Sequence, residues 1–114
     1  MAVFNGAFPV LPGKVDTARA FAKETMGKQR AGYDEAQKRS KTTRETWSVQ
    51  ENPDGSAFVL VWTETPDVEA SFAEFAQDQS DFGKWFRAQV MEVSGVDLSQ
   101  PPEGGPELIL DWKA

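Results

Sequence analysis

Two β-rich runs on either side of a turn form the most regular pattern in the sequence. They are TRETWSVQ at 43–50 and SAFVLVWTET at 56–65, and Pro53, Asp54 and Gly55 between them supply turn geometry. A third apolar run, VFNGAFPVL at 3–11, ends in the turn sequence PGK at 12–14. The pattern predicts a first strand, followed later in the chain by an antiparallel hairpin.

The segments between these strands have apolar residues three or four positions apart, which predicts helices. The first helical region begins at an N-cap, Asp16, and runs to about Lys41; Gly27 and Gly32 weaken its middle, so we expect a bend or restart near GYDEAQKRSK at 32–41. The second begins at an N-cap, Asp67, and ends at Gly95, with Ser80 or Asp81 available to cap a fresh start. Its apolar stripe, which we interpret as core, consists of Val68, Phe72, Phe75, Phe82, Phe86, Val90 and Val93.

The C-terminal part of the chain changes from loop to strand composition. Residues 97–106, DLSQPPEGGP, have loop composition, and ELILDW at 107–112 predicts a final strand. The element order is therefore βαββαβ in one domain over residues 1–114. It predicts an α+β fold, a ferredoxin-like sandwich in which a four-stranded antiparallel sheet carries both helices on one face.

Both faces of this predicted sheet are apolar. In the third strand Phe58, Leu60 and Trp62 point to one side while Val59 and Val61 point to the other. A sheet with helices on one face needs only one apolar face, and an exposed apolar patch of several hundred Å² marks an interaction site. We expect the second face to be covered by a second copy of the chain, giving a homodimer that associates through its sheet faces.

Composition restricts the chemistry. The 114 residues include no cysteine and no histidine, which removes thiolate and imidazole metal ligands, the usual neutral-pH general base and the usual haem ligand. We therefore expect no metal and no cofactor. A net charge of −6 argues against nucleic acid as a partner. The N-terminus has neither a signal-peptide nor a membrane-span pattern, so the expected location is the cytoplasm, with no membrane partner.

The chain resembles the dimeric α/β-barrel superfamily. The resemblance rests on LPGK, TRETWSVQ, PDGSAFVLVWTE and DFGKWFRAQVMEVSGVDL together with the βαββαβ order. It is nearest to small bacterial members without an assigned function, and more distant from the antibiotic-biosynthesis-type monooxygenases; haem-degrading enzymes, chlorite dismutase-like proteins and stress-responsive barrel proteins also belong to the superfamily. Because cofactor-free monooxygenases of this kind use Asn, Trp, Tyr and Arg around an internal cavity, the resemblance implies Asn5, Tyr33, Arg44 and Trp47 as catalytic candidates.

Three further residues are candidates for ligand binding. Trp62 and Glu64 continue one face of the third strand, from which Glu64 would project into an enclosed space, and Trp85 lies at the edge of the apolar stripe, where it would line a cavity mouth or a subunit contact. Glu45 shares a face of the second strand with Trp47, where it is either a buried proton shuttle or a solvated edge residue.

A cluster of Arg30, Tyr33 and Arg44 has two interpretations, a small-anion site or a solvated basic helix end.

Three functions fit the sequence. The first is a homodimeric protein that binds a small, partly apolar molecule between sheet and helices. The second is a cofactor-independent monooxygenase or isomerase-like enzyme, and the third is a non-enzymatic stress-response or interaction module. Because one fold hosts many functions, the choice between them depends on the site.

Overall fold

The computed structural model describes residues 1–100 and 105–114. Three strands and four helices follow one another in these residues. They are β1 (Ala2–Pro9), α1 (Val15–Thr25), α2 (Arg30–Ser40), β2 (Arg44–Glu51), β3 (Ala57–Thr65), α3 (Val68–Gln77) and α4 (Asp81–Ser94). The α+β class and the hairpin of β2 and β3 are confirmed.

The strands form an antiparallel sheet in the order β1-β3-β2, with β3 in the centre. In this register Phe4 lies opposite Thr63, and Thr63 lies opposite Glu45 on the other side. Since paired residues share a face and neighbours along a strand alternate, two faces are defined. The helix-side face carries Phe4, Gly6, Phe8, Glu45, Trp47, Val49, Val59, Val61 and Thr63. The open face carries Val3, Asn5, Ala7, Phe58, Leu60, Trp62 and Glu64, together with the polar β2 residues Arg44, Thr46, Ser48 and Gln50.

The hairpin turn forms as the sequence predicts. The Ser56 N–H and hydroxyl both donate to the Asp54 carboxylate, at 2.9 and 2.6 Å. Gly55 adopts a φ of 88°, which glycine enters without the steric cost that a side chain would impose. These local bonds fix the register in which β2 lies against β3.

Each predicted helical region consists of two helices. The first is interrupted between Thr25 and Arg30, in the interval that contains Gly27, and the second between Gln77 and Asp81, where the Ser80 hydroxyl accepts from the Gly83 N–H at 3.1 Å. Asp67 caps α3 as predicted, through the Ala70 N–H at 3.1 Å.

The N-cap predicted at Asp16 is wrong. The turn at 12–14 leads directly into a helix that begins at Val15, and the Asp16 carboxylate accepts from Arg19 at 2.9 Å instead.

Three of the four predicted aromatic residues of α3 and α4 lie in the core; the fourth, Phe72, is partly buried and packs on Phe4 at 4.9 Å between ring centroids. Phe75, Phe82 and Phe86 are buried, and the Phe86 ring packs 5.1 Å from Phe75 and 5.4 Å from Phe82 between ring centroids. The Phe21 ring of α1 meets Phe86 at 5.1 Å. The helices therefore pack on one another and on the helix-side face around Phe86.

The C-terminal residues depart from the prediction. Residues 107–112 form no strand, so the described part of the chain has a sheet of three strands, where four were expected. The predicted loop at 97–106 includes residues 101–104, which lie outside the described residues. Leu108, Ile109, Leu110 and Trp112 are 61%, 87%, 76% and 78% exposed, so no element of the described residues packs over them.

Candidate functional site

A cavity of about 110 Å³ lies between the helix-side face of the sheet and the helices. Its walls are mainly apolar: Phe4, Phe8, Val59 and Val61 of the sheet face Phe21, Phe72, Phe75 and Phe86 of the helices. Its polar lining residues are Glu45, Thr63, Thr65, Ser71 and Ser94. Among these described lining residues, Glu45 is the one ionisable group, so it decides the electrostatic character of the cavity.

The Glu45 carboxylate is held by four hydrogen bonds. Its Oε1 accepts from the Thr63 hydroxyl at 2.8 Å. Its Oε2 accepts from Gln37 Nε2 at 3.1 Å, from Trp47 Nε1 at 3.2 Å and from the Tyr33 hydroxyl. Hydrogen bonds to a charged group are stronger than those between neutral groups, so this network fixes the carboxylate in one orientation.

The periodicity of three elements brings these donors together. Tyr33 and Gln37 lie four residues apart in α2 and therefore share one side of that helix. Glu45 and Trp47 lie two residues apart in β2 and share the helix-side face, and Thr63 lies directly opposite Glu45 in β3. A shift of one residue in the β2–β3 register would move Glu45 to the open face and dismantle the cluster.

Tyr33 acts here as a hydrogen-bond donor. Burial is the main cause that raises the pKa of its phenol above the ordinary value, and the negative charge of Glu45 raises it further. The ring also packs on Phe86 at 6.4 Å and on Trp47 at 6.3 Å between centroids. The phenol therefore stays protonated at neutral pH and donates to Glu45.

The cluster separates the cavity from an outer groove. Tyr33, Gln37, Thr42, Arg44, Glu45 and Trp47 line this groove, and both Glu45 and Trp47 line the cavity as well. Within the described residues, the buried atoms Gln37 Oε1 and Thr42 Oγ1 have no hydrogen-bond partner. Glu45 is thus accessible from an apolar interior on one side and from a polar groove on the other.

The structure brings together some of the residues predicted from the sequence. Tyr33 and Trp47 both bind Glu45, and Arg44 lines the groove beside them. The Tyr33 hydroxyl is engaged by Glu45, while Arg30 lies 3.7 Å from Asp34, so neither is directed at a shared anion.

The other predicted residues lie elsewhere. Asn5 and Trp62 are opposite each other on the open face, and Glu64, on the same face, accepts from the Thr43 hydroxyl at 2.6 Å. Trp85 packs against Phe21, 5.4 Å between centroids, at the edge of the core. None of Asn5, Trp62, Glu64 and Trp85 is among the described residues that line the cavity.

Sequence reasoning missed two members of the cluster, Gln37 and Thr63. A signal for Gln37 was present, since it follows Tyr33 by four residues in a predicted helix. Thr63 required the pairing register, because only the β2–β3 alignment places it opposite Glu45.

Comparisons with known proteins leave the site to be interpreted from its own geometry. No family model, no curated protein and no solved structure matches the chain.

In the part of the chain that the structure describes, no set of three or more acidic side chains is placed to hold a metal ion. None of the described helices has the length and apolar character needed to cross a membrane. Over the described residues, the fold and site define a small α+β protein with a three-stranded antiparallel sheet and a partly open cavity lined by one carboxylate.

Proposed function

We propose that this protein is a homodimer that binds a small, partly apolar molecule in the cavity between sheet and helices. The observation that supports this function is the Glu45 carboxylate, held by four donors on an otherwise largely apolar wall. Ligand sites characteristically combine an apolar lining with a few placed polar groups. Removing a carboxylate from water costs free energy unless hydrogen bonds compensate, and the part-buried Glu45 has four donors that do so.

The volume of the cavity and the unused lone pair of Glu45 Oε1 indicate the class of ligand. A space of about 110 Å³ is somewhat smaller than the apolar cavity of about 150 Å³ that binds benzene, so it limits the ligand to about one ring. Glu45 Oε1 accepts one hydrogen bond, from Thr63, whereas a carboxylate oxygen has two lone pairs. A ligand donor would use the second lone pair. The preferred ligand is therefore a one-ring aromatic molecule with a hydroxyl or amine donor, of the phenol or aniline kind.

The overall architecture proposed for the dimer is the ferredoxin-like, dimeric α/β-barrel arrangement. The strand order β1-β3-β2, with the helices on one face, supports it. The open face supports association through the sheets, because Val3 and Leu60 are 38% and 41% exposed and lie beside the partly buried Phe58 and Trp62. A contiguous apolar patch on a sheet favours an interaction site, and two-fold self-association is the commonest form of assembly.

Calorimetry tests the ligand site. Phenol and aniline should bind more tightly than toluene, which fills the same space but donates no hydrogen bond. Val61→Phe, which fills the cavity, should abolish binding, while the matched change Val49→Phe on β2, outside the cavity lining, should leave it intact. Equal binding by wild type and Val61→Phe, or no binding by wild type, would overturn the proposed site.

Light scattering at micromolar concentration tests the dimer. Leu60→Glu places a charge in the centre of the open face and should give a monomer. Ala88→Glu, an exposed position on α4, serves as the control and should remain dimeric. A wild-type protein that scatters as a monomer would refute association through the sheet faces.

The enzyme hypothesis is the second candidate, and the meeting of Tyr33 and Trp47 at Glu45 favours it. In such a cofactor-independent monooxygenase or isomerase-like enzyme, Glu45 would take the proton from a phenolic substrate, as a base within hydrogen-bond reach does. Oxygen uptake with a hydroquinone tests the oxygenase form. Turnover that is absent in wild type, or unchanged in Glu45→Gln, would dismiss it.

A further inference from the structure

The outer edge of β1 is open. The eight residues Ala2–Pro9 pair with β3 along one side, and within the described residues no strand pairs with the other side. An unpaired edge presents a row of backbone N–H and C=O groups that can accept another strand. A long free edge is therefore a place where a further segment of chain can add to the sheet.

The segment 107–112, which we call the C-terminal segment, has the composition of a strand and an exposed apolar surface. Leu108, Ile109, Leu110 and Trp112 are the four large apolar residues among its six, and all are at least 61% exposed. Aliphatic and aromatic residues of this kind favour strands, and a contiguous apolar segment in water marks an interaction surface.

The fold of one copy does not cover this segment. Residues 108–110 line a groove together with Val3, Asn5 and Phe72, so the segment already lies close to β1 and α3 of its own chain. It nevertheless makes no backbone hydrogen bond to β1, and its side chains stay exposed. Proximity within one chain therefore leaves both the edge and the apolar segment unpaired.

We propose that the C-terminal segment of one copy adds to the β1 edge of a second copy and forms the fourth strand of that copy's sheet. The inference rests on the homodimer proposed above and specifies how its copies join. In a two-fold symmetric dimer, each copy gives its C-terminal segment to its partner and receives the partner's segment. Both β1 edges and both segments are then paired. Val3, on β1 itself, is 38% exposed on the open face next to the edge that the segment would occupy, so an added strand would cover it.

Cross-linking between single cysteines tests the exchange, because the natural chain contains none. An Asn5→Cys chain labelled with ¹⁵N is mixed with an unlabelled Asp111→Cys chain and treated with a short bismaleimide. Linked peptides that join Cys at position 5 of one chain to Cys at position 111 of the other are expected. An Asp111→Cys chain mixed with a Lys38→Cys chain, whose substituted position lies on α2, is the control and should give at least tenfold less product.

Three outcomes would overturn the proposal. The first is that cross-links in the double variant Asn5→Cys/Asp111→Cys form only within single chains, which would place the C-terminal segment on the β1 edge of its own chain. The others are no product in either experiment, and equal product with the Lys38→Cys control, which would indicate random collision.

Leu110→Lys separates this inference from the proposed dimer itself. If the segment is exchanged, the substitution should raise the dimer dissociation constant at least tenfold by light scattering, while Lys113→Ala should not. A Leu110→Lys chain that dimerises as tightly as wild type would refute the exchange and leave sheet-face association standing. A wild-type monomer would refute both.

Discussion

The phenol of Tyr33 should resist ionisation until the protein unfolds. Tyr33 is the one tyrosine in the sequence, so the titration of a single group can be followed without overlap from other phenols. Burial and the Glu45 carboxylate both disfavour the phenolate. The pKa of this phenol in the folded protein therefore lies above the value of about 10 that it has in an unfolded chain.

The sign of the stability effect follows from this direction. Because the pKa of Tyr33 is higher in the folded than in the unfolded protein, the full contribution of Tyr33 to the free energy of unfolding is present below about pH 10. That contribution is lost as the pH rises from there towards the folded-state pKa. Between these two pKa values, the contribution of Tyr33 to the free energy of unfolding falls by about 1.4 kcal/mol per pH unit. Tyr33→Phe removes the hydrogen bond to a charged carboxylate, a loss of about 1.5 kcal/mol at neutral pH. The stability difference between wild type and Tyr33→Phe should therefore close by about pH 11.

Two measurements check this reasoning. Tyrosinate absorbance at 295 nm should appear together with the loss of the folded circular dichroism signal, and urea unfolding of both proteins between pH 7 and 11 should give the converging stabilities. All other ionisable groups are common to both proteins, so the difference between the two curves reports on Tyr33. A phenolate that forms with a midpoint near pH 10 while the fold is intact would refute the buried Tyr33–Glu45 pair.

Two further predictions concern packing and helix ends, each measured by urea unfolding. Gly32→Ala should destabilise the folded protein by about 1–3 kcal/mol, because the new Cβ would lie 2.4 Å from Phe82 Cβ across the α2–α4 contact. The control Gly105→Ala, whose Cβ would have no atom within 4 Å, should cost far less. Equal losses for the two variants would contradict the close approach of α2 and α4. Arg87→Ala should cost about 1–3 kcal/mol, because Nη1 donates to two carbonyls at the end of α3 at 2.7 and 2.8 Å. Arg19→Ala, which loses only exposed ion pairs, should cost less than Arg87→Ala, and the reverse order would show that Arg87 does not hold this turn.

Local signals explain why much of the fold was predictable. The turn at Pro53–Gly55, the Asp67 cap and the Gly95 stop are each decided by bonds within a few residues, and the structure has all three. The fourth strand was not predictable in the same way. The sequence ELILDW has strand composition, but a strand exists only where another backbone pairs with it, and one copy of the chain supplies no partner in the described residues.

The candidate site was predictable only in part, for a geometric reason. Alternation shows that Trp62 and Glu64 share a face, but β3 is apolar on both faces and does not itself reveal which one meets the helices. The helices in fact cover the face of Val59, Val61 and Thr63, so Glu45 enters the cavity while Glu64 lies on the open face. Alternation within one strand shows which residues share a face. The pairing between strands was also needed to show that Glu45 lies on the covered face and Glu64 on the open one.

The measurement that tests the central claim most directly is a difference electron-density map from a crystal soaked in phenol. We predict density for one ring inside the cavity between the sheet and the helices, with the phenol oxygen within hydrogen-bond distance of Glu45 Oε1. Density found only outside the cavity, or a cavity closed by the side chains of Phe21, Phe75 and Phe86, would contradict the proposed site.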